Sequence, residues 1–185
     1  YYSENLIEIL YLWQGGLSFH GGLLGIVTAA IIISKLYKTT FFEISDLICV
    51  SAPVGIFFGR ISNFINGELF GRPSNFLIGM KFPNADNQFR HPSQLYEAFL
   101  EGLLLFIILY FLIFKFKKLK NPGIISGVFL MLYGLFRFTV EFTREPDIQL
   151  GFVYHFFTMG MILSLPMFLA GILILVIKSI KNDTR

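Results

Sequence analysis

The chain has 185 residues, of which 55% are hydrophobic, 17% aromatic and only 15% charged, with a net charge of +3; its mean hydropathy is +0.67. That balance excludes an ordinary soluble domain, and the gathering of apolar residues into long blocks indicates an integral membrane protein. The single cysteine, Cys49, excludes an internal disulfide and a thiolate metal cluster; inside DLICVSAPVGIFF it reads as a small buried apolar residue.

No methionine opens the chain, and residues 1–13 already read YYSENLIEILYLW. We therefore expect a further N-terminal portion, with additional spans, to precede residue 1. Five apolar stretches follow, at 19–36, 44–62, 94–114, 123–140 and 157–178. Each is long enough for a bilayer core of about 30 Å, which takes about 20 helical residues. The expected fold is all-α, a polytopic transmembrane helical bundle, with 1–185 forming one integral-membrane domain.

The first stretch opens with GGLSFHGGLLG, which sets His20 among Gly15, Gly16, Gly21 and Gly22. The glycines leave room for a ligand or another backbone, and histidine is the side chain whose ordinary pKa suits proton transfer near neutrality; an interfacial or packing role is the alternative. The second contains Pro53 and ends in GRISNFINGELFGRPSN, where Arg60 and Asn63 share a helical face and Asn66, Glu68 and Arg72 follow closely. These side chains form either a polar helix end or a pocket for a phosphate or glycerol head group. The third begins at RHPSQLYE, where His91 is expected to cap the helix just before Pro92. The fourth runs into YGLFRFTVEFTRE, with Tyr133, Arg137, Glu141 and Arg144 at helical spacing on one face. Arg137 and Glu141 neutralise one another in the plain reading, as Glu141 and Arg144 would, but one cation of the three residues is then left unmatched, and an arginine this close to lipid normally has a partner or a task. The fifth carries Pro166 and follows His155, an interfacial residue by its position. Gly21/Gly25, Gly55/Gly59 and Gly123/Gly127 have the GxxxG spacing of closely packed helices.

Basic residues set the expected topology. Lys35, Lys38, Lys115, Lys117, Lys118, Lys120, Lys178, Lys181 and Arg185 follow the first, third and fifth stretches, which places those ends and the C-terminus in the cytoplasm. The other face then holds the segments 63–93 and 141–156, with Trp13, Tyr1, Tyr2 and Tyr11 as an interfacial belt. Eight of nine cytoplasmic cations are lysine, whereas five of six outer ones are arginine: Arg60, Arg72, Arg90, Arg137 and Arg144, beside Lys81. Arginine offers a planar fork suited to phosphate or carboxylate, so the outer face reads as built to hold an anion. HExxH, GxSxG, a Walker loop and Cys/His metal spacing are all missing from the sequence.

The segments GGLSFHGGLLG, GRISNFINGELFGR, RHPSQLYE and YGLFRFTVEFTREPD resemble, in order and spacing, the motifs of the bacterial prolipoprotein diacylglyceryl transferase family. The likeness covers about residues 13–171, and the closing SLPM is similar too, although Met161 stands where the family usually has glutamine. The resemblance implies a seven-span enzyme of the bacterial inner membrane, active toward its outer face. It implies transfer of the sn-1,2-diacylglyceryl group from phosphatidylglycerol to the lipobox cysteine of a prolipoprotein signal peptide, with release of glycerol phosphate. Family site residues fall on His20, Arg60, Asn63, Glu68, Gly71, Tyr133, Arg137, Glu141 and Arg144. Of these, His20, Arg60, Tyr133 and Arg137 are expected to be catalytic and Asn63, Glu68, Gly71, Glu141 and Arg144 to bind substrate, with no metal, cofactor or nucleic acid involved. A lipid or anion transporter, or a structural subunit whose arginines dock lipid head groups, is the competing class; another phosphatidylglycerol-consuming transferase is a second.

Overall fold

The computed structural model describes residues 19–146, 151–154 and 157–183. Helices dominate: α1 (Phe19–Leu36), α2 (Phe41–Asn66), α3 (Ser93–Glu97), a π-helical stretch (Ala98–Leu104) leading straight into α4 (Leu105–Phe114), a 3-10 turn (Lys118–Lys120), α5 (Ile124–Val140) and α6 (Met159–Asp183). The exception is one short antiparallel pair, β1 (Phe152–Tyr154) with β2 (Phe157–Thr158). A helix occupies each of the five expected stretches. Among the described residues, α2, the continuous helix Ser93–Phe114 and Met159–Ile180 are long and apolar enough to cross a membrane, while Gly21–Leu36 and Ile124–Val140 are shorter. At 1.5 Å per residue, the 17 residues of α5 reach about 26 Å, the lower end of a span.

The chain forms two compact units, Tyr1–Ile44 and Ser45–Arg185. In the first, α1 presents Leu24 and Leu36 outward, as a helix in lipid would. Thr40 and Glu43 then form a reciprocal capping box: the Thr40 amide donates to Glu43 Oε2 at 2.8 Å and the Glu43 amide to Thr40 Oγ1 at 3.3 Å. This cap starts α2 three residues before the apolar stretch does. At the other end Gly67, at φ +67°, allows the turn that follows the helix.

In the second unit Leu105, Leu109 and Ile125 are fully buried, with Cys49, Val50, Phe129 and Tyr133 packed against them. Gly102 brings the π-helical stretch onto α2, for a Cβ there would lie 2.7 Å from Phe57 Cβ. The α5–α6 seam is equally tight: a Cβ at Gly134 would lie 2.8 Å from the Phe168 amide, and one at Gly171 would lie 2.7 Å from the Gly127 carbonyl. Of the expected GxxxG pairs, Gly55 and Gly59 face no described atom within 4 Å. The small residues that matter for packing are therefore Gly102, Gly127, Gly134 and Gly171.

Asp46 ties α2 to the start of α5. It is fully buried and accepts from the Gly123 amide at 2.8 Å, the Ser126 amide at 2.8 Å and the Ser126 hydroxyl at 2.5 Å. A carboxylate on α2 thus satisfies the orphan N–H groups at the N-terminus of α5 and complements its dipole.

Between α2 and α3 the backbone has no regular strand and is stitched by isolated antiparallel bridges, Pro73 with Arg90 and Met80 with Arg90. Phe82 is buried between the rings of Phe64 and Phe70. Arg90 holds this loop closed: its fork meets both oxygens of Asp86 at 2.9 and 3.0 Å, Nη1 donates to the Gly71 carbonyl at 3.1 Å and to Glu145 Oε2 at 3.0 Å, and its plane lies over Phe70. The expected capping by His91 is not found: the N-cap position is Pro92, without a side-chain cap, and His91 Nδ1 instead lies 3.2 Å from the Tyr96 hydroxyl. The backbone of His91 is committed to Gly71 and Arg72.

Replacing Asp46 with alanine would strand two amides and leave the Ser126 hydroxyl with Ser45 Oγ, 2.6 Å away, and should lower stability by about 2–4 kcal/mol; thermal unfolding in detergent measures this, and an unchanged midpoint would contradict the cap. The Arg90 hydrogen bonds hold the Asp86 carboxyl below its ordinary range. A carboxyl whose pKa is depressed on folding stabilises above its unfolded pKa of about 4 and loses that contribution as pH falls through the lower folded value. A nitroxide at Asn87, in a Cys49→Ala background, should therefore keep constant mobility from about pH 8 to 5 and loosen below about pH 4. With Asp86→Asn it should be loose throughout.

Candidate active site

Three arginines from separate parts of the second unit converge on one carboxylate. Arg60, near the end of α2, places Nε 2.7 Å from Glu97 Oε2. Arg137, in the last turn of α5, places Nη1 3.2 Å from Glu97 Oε1 and 2.7 Å from Glu141 Oε2. Arg144, just past α5, donates from Nη1 to Glu97 Oε1 at 3.1 Å. Glu97 and Glu141 are almost wholly buried, and Glu101, one turn beyond Glu97, is completely so, with Arg60 Nη2 3.9 Å away.

This arrangement corrects the charge count made from Arg137, Glu141 and Arg144 alone. The cation left unmatched there is matched by Glu97 and Glu101, carried on a different helix. Three guanidinium groups face three carboxylates, so the cluster is formally balanced. Removing one partner from such a buried set leaves an uncompensated charge, which typically costs about 3–5 kcal/mol.

Local sequence explains why the groups meet. Arg137, Glu141 and Arg144 follow helical spacing at the end of α5. Glu97 is placed by the residues before it: the Ser93 hydroxyl donates to the Leu69 carbonyl at 3.0 Å and Gln94 Nε2 donates to the Glu68 carbonyl, pinning the start of α3 to the loop after α2. Glu141 is braced from the end of β2 and the start of α6, since the Thr158 hydroxyl donates to its Oε1 at 2.7 Å and a Cβ on Gly160 would lie 2.7 Å from its carboxyl carbon. Arg72 braces the backbone beyond, with Nε donating to the Arg144 carbonyl at 2.8 Å. Gly71 pairs with Arg144 and donates its amide to His91 at 2.8 Å.

The family model for prolipoprotein diacylglyceryl transferase matches residues 1–177 of this chain. The chain belongs to that family. It is 50% identical over 184 residues to a phosphatidylglycerol–prolipoprotein diacylglyceryl transferase of Rickettsia bellii (strain OSU 85-389), covering all of this chain and 70% of the relative. The corresponding proteins of Rickettsia felis and Rickettsia africae are 53% and 55% identical over 170 residues, covering 92% of this chain and 66% of each relative. With apolar helices of spanning length, it is a membrane protein.

The expected site residues separate into groups. Arg60, Arg137, Glu141 and Arg144 come together in the cluster, and Tyr133 lies in the electrostatic range of Glu101, Arg137 and Arg60 while its ring stacks on Phe129. Gly71 serves the cluster through its backbone. Glu68 contributes its carbonyl to Gln94, and its side chain is exposed. Asn63 lends its carbonyl to the Glu68 amide at 2.9 Å, and its side chain has no hydrogen-bond partner among the described residues. His20 begins α1, but its side chain lies outside the described residues, as do His155 and the aromatic belt of residues 1–13. The residues sequence reasoning missed are Glu97, Glu101, Gln94, Thr158 and Gly160. Two glutamates four apart inside an apolar span were the available signal.

The two glycines predict contrasting variants. At Gly71 a Cβ would collide with the Thr143 carbonyl and lie 2.7 Å from the His91 carbonyl, backbone that cannot yield cheaply. Gly71→Ala should cost about 1–3 kcal/mol of stability. Gly160→Ala meets only the movable end of Glu141, so thermal unfolding should shift little while the Arg137–Glu141 pair is displaced. Equal shifts for both variants would contradict this assignment.

Proposed function

We propose that this chain carries out the reaction for which its relatives are named: transfer of the diacylglyceryl group of phosphatidylglycerol to a cysteine thiol of a prolipoprotein. The observation that carries the reading is the partition of donors in the arginine cluster. A guanidinium has five N–H donors. Among the described residues, Arg60 commits Nε to Glu97 and keeps Nη1 without a partner, while Arg137 commits Nη1 alone and keeps Nε and Nη2. Carboxylates hold one edge of each fork and leave the rest for an incoming anion.

In the reaction, the cysteine sulfur forms a C–S bond with the terminal glyceryl carbon as that carbon's bond to the phosphate oxygen breaks. The electron pair leaves on glycerol phosphate, which gains negative charge. Fixed donors aimed at such charge, in a site closed to water, lower the barrier most. We assign Arg60 and Arg137 to the phosphate, with Glu141 and Arg144 holding their geometry and Tyr133 on the apolar side. Asn63 and Glu68, where the loop leaves α2, are assigned to the approach of the lipid head group, and Gly71 to the close backbone pairing that seats Arg144. The thiol, with an ordinary pKa of about 8.5, has to lose its proton to attack, and His20 is the proposed base.

The lysine-rich ends are assigned to the cytoplasm and the arginine cluster to the outer face, beneath the segments 63–93 and 141–156, with residues 1–185 acting as one integral-membrane domain. The acceptor is then the lipobox cysteine of a signal peptide lying in the same membrane. The sulfur and the lipid meet without leaving it.

The test uses the full-length protein in liposomes with phosphatidylglycerol and a lipobox peptide, following glycerol phosphate release and peptide mass. Wild type should yield a thioether-linked diacylglyceryl peptide, and Cys→Ser in the peptide should abolish both signals. Arg137→Lys keeps the charge and loses the fork, so turnover should fall by about 10²–10³-fold with lipid binding little changed. Lipid binding without release by the folded wild type would instead establish a head-group docking or transport role.

A further inference from the structure

Glu101 stands apart from the other acidic groups of the cluster. Glu97 is in contact with three arginines, and Glu141 receives Thr158 and Arg137. Glu101 is as deeply buried as either, yet neither of its carboxylate oxygens has a hydrogen-bond partner among the described residues. Its nearest cation, Arg60 Nη2, is 3.9 Å away, beyond hydrogen-bond distance. A buried carboxylate without donors is strongly unfavourable and is kept where a ligand supplies them. The backbone there is also special: Glu101 lies in the π-helical stretch Ala98–Leu104, a winding that recurs at functional positions. Gly102, pressed on Phe57, fixes that turn.

An ionised carboxylate only accepts, so the ligand has to bring donors. Arg60 beside it has an unspent donor for an anion. A ligand spanning both needs a phosphate at one end and hydrogen-bond donors a few bonds away. We propose that Glu101 receives the two free hydroxyls of the glycerol head group of phosphatidylglycerol, one on each oxygen, and so selects a polyol phosphodiester over others. This rests on the transferase reading above and names the residue that sets its lipid specificity. An ammonium head group would also donate, but it would sit against Arg60, whereas hydroxyls bring no charge to that position.

The experiment compares phosphatidylglycerol with phosphatidylethanol of the same acyl chains, using the full-length protein in proteoliposomes and a lipobox peptide. The two lipids share the phosphodiester and the bond that breaks, and phosphatidylethanol lacks the two free hydroxyls together with the terminal carbon that carries one of them. Wild type should favour phosphatidylglycerol by on the order of 100-fold in kcat/KM. Glu101→Gln and Glu101→Ala should shrink that ratio to about tenfold or less, because phosphatidylglycerol loses more than phosphatidylethanol does. For a variant without turnover, the same ratio is read from competitive binding of the two lipids to the purified protein. Equal losses with both lipids, leaving the ratio intact, would overturn the assignment, as would a wild type that uses both lipids equally well or prefers phosphatidylethanolamine. A wild type that transfers from no lipid would overturn the transferase reading and this inference with it.

Discussion

Three guanidinium groups cannot be gathered at the edge of a membrane unless something negative holds them. Two unit charges about 4 Å apart interact by about 4 kcal/mol at an effective dielectric of 20, so the arginines repel one another strongly. Glu97 supplies that charge, in contact with Arg60, Arg137 and Arg144 alike, and Glu101 and Glu141 beside it complete the balance. Because those arginines sit on α2, on α5 and just after α5, one side chain sets the relation of the elements that meet there. The loop between α2 and α3 is drawn into the same arrangement, since Gly71 and Arg72 are bonded to the backbone at 143–144.

That hub is useful only if its own position is fixed, and packing supplies this from several directions. Ser93 and Gln94 hold the first turn of α3, and Gly102 seats the next on Phe57. Helix α5 is restrained at both ends by carboxylates of opposite purpose. Asp46 meets its exposed amides at the start, and Glu97 and Glu141 meet the arginines of its final turns. Negative charge at the N-terminus and positive charge in the last turn both agree with the helix dipole. Along its length Gly127 and Gly134 let α6 approach to backbone distance, which in turn carries Thr158 and Gly160 to Glu141.

Much of this was legible in the sequence. The apolar blocks located every helix, and helical spacing joined Arg137, Glu141 and Arg144 because those residues are close along the chain. The order of four motifs marked the family. What was not legible depends on contacts between segments far apart. Glu97 and Glu101 lie inside a stretch whose hydropathy marks it as a span, and only the meeting of α2, α3 and α5 gives their charge its partners. Asp46 was hidden similarly: its partners are 77 and 80 residues away, and a lone acid early in a helix carries no sign of capping another. His91 was misplaced because the residue before a proline suits a cap, while its backbone pairing with Gly71 and Arg72 cannot be seen locally.

The balance of three arginines against three glutamates also bears on how a site can be stable when empty and still hold an anion. A bare arginine cluster would be self-repelling and would recruit any passing phosphate or carboxylate. A cluster neutralised completely, with every donor spent, would bind nothing. Among the described residues the carboxylates occupy single edges of two of the forks: Glu97 takes Nε of Arg60 and Nη1 of Arg137, and Arg137 shares that same nitrogen with Glu141. Lysine could not divide its donors in this way, for its ammonium is one compact charge without separate edges. In the proposed reaction the planar fork lets one side of the group be structural and the other meet the substrate. Since the structural side is already ordered before a substrate arrives, charge developing on a departing phosphate meets donors that need not reorganise, which is the condition under which electrostatic stabilisation is largest.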